Sequence, residues 1–86
     1  MDTINERFKI ARKACNKNQE DWGKILGITR PGVSDIESGR RNVTDKHIKL
    51  LCIETIQGKF LSENWLRTGE GEMFVSLPEE DEFAAY

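Results

Sequence analysis

Residues 18–41 decide the fold of this chain, and they read NQEDWGKILGITRPGVSDIESGRR. Asn18 and Thr29 are N-cap residue types, and each stands before a stretch whose apolar residues recur at three- and four-residue spacing. Gly27, between the two stretches, suits the left-handed end of a helix, and Gly23 is small where two helices would approach each other. The pattern predicts two short helices joined by a tight turn, with the second helix exposed.

A first helix is predicted before this pair and a fourth after it. Thr3 and Glu6 form a capping-box pattern, and apolar residues then recur on one helical face as far as Cys15. Thr44 is the N-cap of the fourth helix, in which the apolar spacing continues to Ile56. Each helix has an apolar face that must be buried against the central pair.

The remaining residues predict one more short helix and a tail. Ser62 begins the fifth helix, which ends in the turn residues 68–71. Residues 73–75 are apolar and fit either a short strand or an extended segment over the core. Residues 76–86 begin another capping-box pattern, but this helix is too short to be stable alone. The fold class is therefore all-α, a compact bundle of four to five helices with a short C-terminal tail.

Length and composition exclude several classes of protein. With 86 residues, 37% of them hydrophobic and 33% charged, the chain makes one small globular domain. No apolar stretch is long enough for a membrane span or a secretory signal, so we expect a cytoplasmic protein. Two cysteines and one histidine supply neither a disulfide framework nor a zinc site, and no catalytic set or phosphate-binding glycine loop is present. We therefore expect no enzyme activity, no metal and no cofactor.

The net charge of −2 conceals an asymmetry between the two halves of the chain. Residues 1–50 contain eleven Lys and Arg against seven Asp and Glu, which gives +4. Residues 51–86 contain two against eight, which gives −6. A basic first half fits a polyanionic partner, with the acidic part turned away from it, although uneven solvated surface would look the same.

The sequence from Asn5 through the fifth helix resembles the Cro and phage-repressor family of helix-turn-helix regulators, also called the XRE family. Residues 18–41 carry the likeness. Residues 64–74, NWLRTGEGEMF, are similar to the end of that domain in phage-like regulators of Gram-positive bacteria. The resemblance implies a lambda-repressor-like DNA-binding domain at residues 1–74, with its motif at 19–38, and an acidic tail at 75–86 that forms a dimerisation helix or begins a longer tail.

The same resemblance implies roles for individual residues. The exposed positions that contact base edges in the major groove are Arg30, Pro31, Ser34 and Asp35. The positions that contact DNA phosphates are Asn18, Gln19, Thr29, Arg40, Arg41 and Asn42. Asp35 departs from the family pattern, in which this groove-facing residue is often Gln, Lys or Arg. Its carboxylate either accepts a hydrogen bond from cytosine or is repelled by phosphates.

Arg12 and Glu37 match a family pair that joins the first helix to the recognition helix by a salt bridge. From sequence this pair is either partly buried, in which case it matters for stability, or exposed, in which case it contributes little. Gly32 lies in the first turn of the recognition helix and is expected to cost it about 1 kcal/mol relative to Ala.

The resulting hypothesis is a sequence-specific DNA-binding transcriptional regulator, a phage or mobile-element repressor that binds a near-palindromic operator as a homodimer. Its possible dimer contacts are Trp65, Leu66, Phe83 and Tyr86. The alternative is a helix-turn-helix fold used as a protein-interaction or antitoxin-like module. Salt dependence separates the two, because binding through several phosphates weakens steeply as salt rises.

Overall fold

Helices occupy most of the residues described by the structure, a computed structural model that covers residues 3–53, 55–56 and 59–76. The helices in these ranges are α1 (Ile4–Ala14), α2 (Gln19–Leu26), α3 (Arg30–Glu37), α4 (Asp45–Ile53) and α5 (Glu63–Thr68). The strands are β1 (Thr55–Ile56), β2 (Lys59–Leu61) and β3 (Phe74–Ser76). The prediction of an all-α bundle of four to five helices is confirmed, with a small sheet added to it.

Side-chain caps set the first residue of each helix where the sequence predicted it. The Thr3 hydroxyl accepts from the Glu6 N–H, and the Glu6 carboxylate accepts from the Thr3 N–H, which completes the capping box. Asn18, Thr29 and Ser62 cap α2, α3 and α5 in the same way. Because each cap satisfies a backbone N–H that has no partner within its helix, these polar residues fix the helix boundaries.

The prediction that the fourth helix continues to Ile56 is wrong. The helix ends at Ile53, and Thr55–Ile56 forms β1, which pairs antiparallel with β2. Both residues of β1 are β-branched, so they favour extended backbone, and the partner strand supplies their hydrogen bonds. β2 also pairs antiparallel with β3, and this pairing decides the open prediction for residues 73–75 in favour of a strand at 74–76. The predicted tail helix lies outside the described residues.

The core lies between the helices and the inner face of the sheet. Its buried apolar side chains are Phe8, Ala11, Cys15, Trp22, Leu26, Val33, Ile36, Ile48, Leu51, Leu61 and Leu66. Trp22 and Phe8 pack edge to face, with ring centroids 6.2 Å apart, so the large indole is accommodated by an aromatic contact between α2 and α1. Among the described residues, the buried Trp22 Nε1–H has no hydrogen-bond partner.

α5 is attached to α1 by a buried arginine that sequence analysis did not single out. Arg7 Nε donates to the Leu66 carbonyl and Arg7 Nη2 to the Arg67 carbonyl, both at 2.9 Å. These are carbonyls at the C-terminal end of α5, which a cation stabilises. Leu66 itself is 0% exposed within the single chain. Its prediction as a possible dimer contact is therefore corrected, since no surface of it is left for a second copy.

None of the helices in the described ranges has both the length and the hydropathy that crossing a membrane requires.

Candidate nucleic-acid interface

α2 and α3 meet at a turn that depends on two glycines. Gly27 has φ 73°, and its N–H donates to the Gly23 carbonyl, which also accepts from the Ile28 N–H at 2.9 Å. A Cβ at Gly23 would lie 2.6 Å from the Ile28 carbonyl oxygen, closer than packed atoms allow. The predicted roles of both glycines are confirmed, because one provides the left-handed helix end and the other the close approach of the two segments.

α3 presents one face to the core and the other to solvent. Val33 and Ile36 are fully buried. The predicted base-contacting side chains lie on the remaining surface, with Arg30, Pro31 and Ser34 exposed and Asp35 partly exposed. Such a helix keeps an unobstructed polar face that can enter a groove.

The amino ends of α2 and α3 border a shallow hollow of about 360 Å³. Its lining brings together Arg12, Asn18, Gln19, Glu20 and Arg30. The Asn18 side chain caps α2 through the Asp21 N–H at 2.7 Å. The Arg30 guanidinium and the positive end of the α2 dipole favour an anion here, while the carboxylate of Glu20 opposes it and the charge of Arg12 is balanced by Glu37.

Arg12 and Glu37 form a bidentate ion pair between α1 and α3, with Nε–Oε2 at 2.6 Å and Nη2–Oε1 at 3.2 Å. Their side chains are only 12% and 5% exposed, so the pair is largely buried. Arg12 Nη1 also donates to the Lys17 carbonyl, and Gln19 Nε2 donates to Glu37 Oε1 at 3.1 Å. The first residue of α2 is thus hydrogen-bonded to the last residue of α3.

The loop after α3 carries the second group of candidate phosphate contacts. Arg40, Arg41 and Asn42 are all exposed. The N–H groups of Arg40 and Arg41 donate to the Asp35 carbonyl at 2.9 and 3.2 Å. Arg40 Nη1 lies 3.9 Å from Asp35 Oδ1, at the limit of an ion pair, with the two side chains 81% and 40% exposed. Such a contact is weak in water, which leaves the Arg40 guanidinium available to another anion.

A helix-turn-helix family model of the Cro/C1 type, the XRE family, matches residues 8–54, which are 47 of the 86 residues. The chain belongs to this family. It is a family of DNA-binding helix-turn-helix regulators. In a motif of this kind the second helix is the one that enters the major groove, and α2, the turn and α3 have the corresponding arrangement here. No solved structure matches the chain.

His47 and Thr44 are hydrogen-bonded to each other where the loop after α3 meets the start of α4. Its N–H donates to the Thr44 hydroxyl, while its Nδ1 accepts from the Thr44 N–H, so the imidazole completes a reciprocal cap. Burial lowers the pKa of His47, and the positive charges of Arg41 and Lys46 lower it further. A neutral imidazole is required, because a protonated Nδ1 could not accept the Thr44 N–H.

Asn5, which lies before the matched region, contacts the end of α3 and the loop after it, and sequence analysis did not identify it. Its Nδ2 donates to the Ile36 carbonyl at 2.8 Å and to the Arg41 carbonyl at 2.9 Å. The acceptors are backbone atoms 31 and 36 residues further along the chain, so no local pattern could have revealed them. The only available signal was a polar residue with two amide hydrogens in the first turn of an amphipathic helix.

Proposed function

We propose that the chain is a sequence-specific transcriptional regulator, a repressor of the phage or mobile-element type that binds a near-palindromic operator as a dimer. One observation carries this proposal. The exposed face of α3 adjoins both groups of candidate phosphate contacts: Arg30 lines the same hollow as Asn18 and Gln19, and the loop at residues 40–42 is hydrogen-bonded to the Asp35 carbonyl. A helix that enters the major groove needs such contacts on both sides to fix its register on the backbone.

In this proposal α3 reads the bases. Arg30 has the strongest role, since a guanidinium forms two hydrogen bonds with the O6 and N7 of guanine. Asp35 accepts from cytosine N4, which turns its charge into a preference for a particular base. The other proposed base contacts are Pro31 and Ser34.

The proposed phosphate contacts divide into two groups. Asn18, Gln19 and Thr29 lie at the amino ends of α2 and α3, where N–H groups and the helix dipole favour a phosphate. The second group contacts the sugar-phosphate backbone of the DNA beyond the other end of α3, and it consists of Arg40, Arg41 and Asn42. Neither group reads sequence, so both contribute to the affinity for any duplex.

A dimer is proposed because one recognition helix reads only a few base pairs. Two half-sites about 34 Å apart give useful specificity, and their two-fold symmetry makes the operator near-palindromic. Trp65 is partly exposed and stays among the proposed contacts. Phe83 and Tyr86 lie outside the described residues. Because β3 pairs with β2 as far as Ser76, the boundary expected after residue 74 moves to residue 76. The proposal assigns residues 1–76 to DNA binding and residues 77–86 to dimerisation.

Selection of bound duplexes from a random DNA pool, at two salt concentrations, tests the proposed function. The expected result is a two-fold symmetric motif whose binding weakens steeply as salt rises. If no duplex is retained even at low salt, the proposal is wrong, and the protein-interaction module becomes the function to test by pull-down of a partner.

The dimer is tested separately by measuring the mass of the protein in solution with and without residues 77–86. This deletion spares β3, which ends at Ser76. We expect the shortened chain to be a monomer with weakened operator binding. An unchanged dimer mass and unchanged affinity would contradict the role of the tail without affecting the role of α3.

A further inference from the structure

The carboxamide of Asn5 joins two parts of the chain that bear on the recognition helix. One of its acceptors, the Ile36 carbonyl, lies in the last turn of α3, and the other, the Arg41 carbonyl, lies in the loop between α3 and α4. Asn5 itself is in the first turn of α1, at the partly buried edge of the contact between α1 and α3. A single side chain therefore links three segments of backbone.

In the part of the chain that the structure describes, the loop near Arg41 is also anchored to α3 by backbone hydrogen bonds. Its backbone N–H groups bond to the Asp35 carbonyl, while the Arg41 side chain is exposed. Arg41 Nη1 lies 3.6 Å from the place that a Cβ on Gly32 would occupy, so the guanidinium stands beside the recognition helix. Because Asn5 holds the Arg41 carbonyl, the Arg41 side chain extends from the loop in a fixed direction relative to α3.

We infer that Asn5 is a positioning residue for DNA binding: its two hydrogen bonds fix the loop so that Arg41 meets a phosphate when α3 lies in the major groove. The inference rests on the proposed function. It is not given by the family match, which begins at residue 8. Without the Asn5 amide the loop keeps its charge but loses its fixed direction, and the entropy cost of ordering it is not recovered from a single phosphate, so the Arg41 contact is not made.

The test compares the full chain with its Asn5→Ala variant on a mixed-sequence duplex of about 30 base pairs, since non-specific binding reports mainly phosphate contacts. Asn5 is uncharged, so its removal does not alter the charge of the protein. Each lost phosphate contact makes the negative slope of log affinity against log salt less steep by about 0.9. The variant is expected to bind more weakly than the wild type at 50 mM salt. When salt rises from 50 to 200 mM, its affinity should fall by a factor that is about 3.5 times smaller than the factor for the wild type.

The matched control is Asn64→Ala. The Asn64 amide also donates to a loop carbonyl, that of Glu70 at 3.2 Å, but it lies in α5 outside the helix-turn-helix motif. We expect this variant to keep the wild-type salt slope.

Circular dichroism checks the helix content of each variant. Asn5→Ser is a second substitution, and it should reduce the salt slope as Asn5→Ala does, because a short hydroxyl cannot reach both carbonyls.

A double variant completes the test. If Asn5 acts through Arg41, then Arg41→Ala costs less affinity in the Asn5→Ala background than in the wild type. A wild-type salt slope in folded Asn5→Ala, or additive effects of the two substitutions, would overturn the inference alone. A wild-type chain that binds no duplex at any salt would overturn the proposed function and the inference with it.

Discussion

The guanidinium of Arg12 and the carboxylate of Glu37 join α1 to the C-terminal end of the recognition helix through two hydrogen bonds, almost out of contact with solvent. The sequence left open whether this pair was buried or exposed, and the structure shows that it is buried. Removing one partner strands the other charge, so Arg12→Ala is expected to lower the free energy of unfolding by about 3–5 kcal/mol. Urea denaturation measures this loss.

The control for this prediction is Arg67→Ala, which removes an arginine that is paired with carboxylates at the surface and not in the interior. Arg67 pairs with Asp45 and Glu63 at the surface, where water screens the charges. We expect little change in its unfolding midpoint. Equal destabilisation by the two substitutions would contradict the assignment of Arg12–Glu37 as the buried pair.

Two helical glycines are predicted to respond oppositely to alanine. At Gly32 the nearest atoms to an added Cβ are 3.6 Å away, an ordinary contact, so Gly32→Ala should stabilise the protein by about 1 kcal/mol through helix propensity. At Gly23 the Ile28 carbonyl oxygen is 2.6 Å from the added Cβ, so Gly23→Ala should destabilise by about 1–3 kcal/mol. Thermal unfolding of the two variants side by side tests whether space, and not residue type, decides the sign.

The buried cap at His47 predicts a loss of stability in mild acid. Since the folded state lowers the pKa of His47 below its usual value of 6.5, the unfolded state binds the proton more readily. The stabilisation is therefore complete above about pH 6.5 and falls as the pH drops below it. Unfolding free energies between about pH 7.5 and 5.5 measure the effect.

The matched variant for this pH dependence is His47→Gln. A glutamine three residues after a Thr N-cap completes a capping box without titrating, so this variant should keep helix α4 and lose much of the decline between about pH 7.5 and 5.5. If the decline is as steep in the glutamine variant as in the wild type, His47 is not its source.

Local signals were sufficient to predict the helix-turn-helix motif. The caps at Asn18 and Thr29 and the glycine at Gly27 act within a few residues of themselves, so the bounds of α2 and α3 follow from the sequence. The end of α4 did not follow, because apolar spacing continues to Ile56 while a strand 3–5 residues away competes for the same backbone. Pairing across a hairpin outweighed periodicity there.

The candidate site was predictable only where its residues face solvent. Exposed polar residues around Arg30 and Arg41 stand out because a core does not need them. Asn5 and Arg7 did not stand out, since both bond to carbonyls more than 30 residues distant. Leu66 looked like a possible surface contact but fills the core, because a short helix buries one side of itself.

Asp35 is predicted to lower the affinity for DNA in general while it provides a preference for one base. Asp35→Ala removes a negative charge and a hydrogen-bond acceptor from the groove-facing surface and frees Arg40 from a weak pair, so binding to mixed-sequence DNA should tighten. The preference at one position of each half-site should fall by about 1–3 kcal/mol. Glu63→Ala in α5 makes the same change of charge outside the motif and should leave the preference unaltered. Unchanged preference in Asp35→Ala would contradict a base contact by this carboxylate.

Arg30 and Arg41 carry the same charge, but only Arg30 belongs to the proposed base-reading face. Arg30→Ala should therefore relax the preference at one position of each half-site and cost about 1–3 kcal/mol there, because the pairing with guanine is lost. Arg41→Ala should weaken binding to all sequences alike and reduce the salt slope by about one unit, because a phosphate contact is lost. Binding of both variants to the selected operator and to its single-base variants, over a range of salt, separates the two roles. If both substitutions shift preference and slope equally, charge near the motif matters but the separate roles given to these two side chains are wrong.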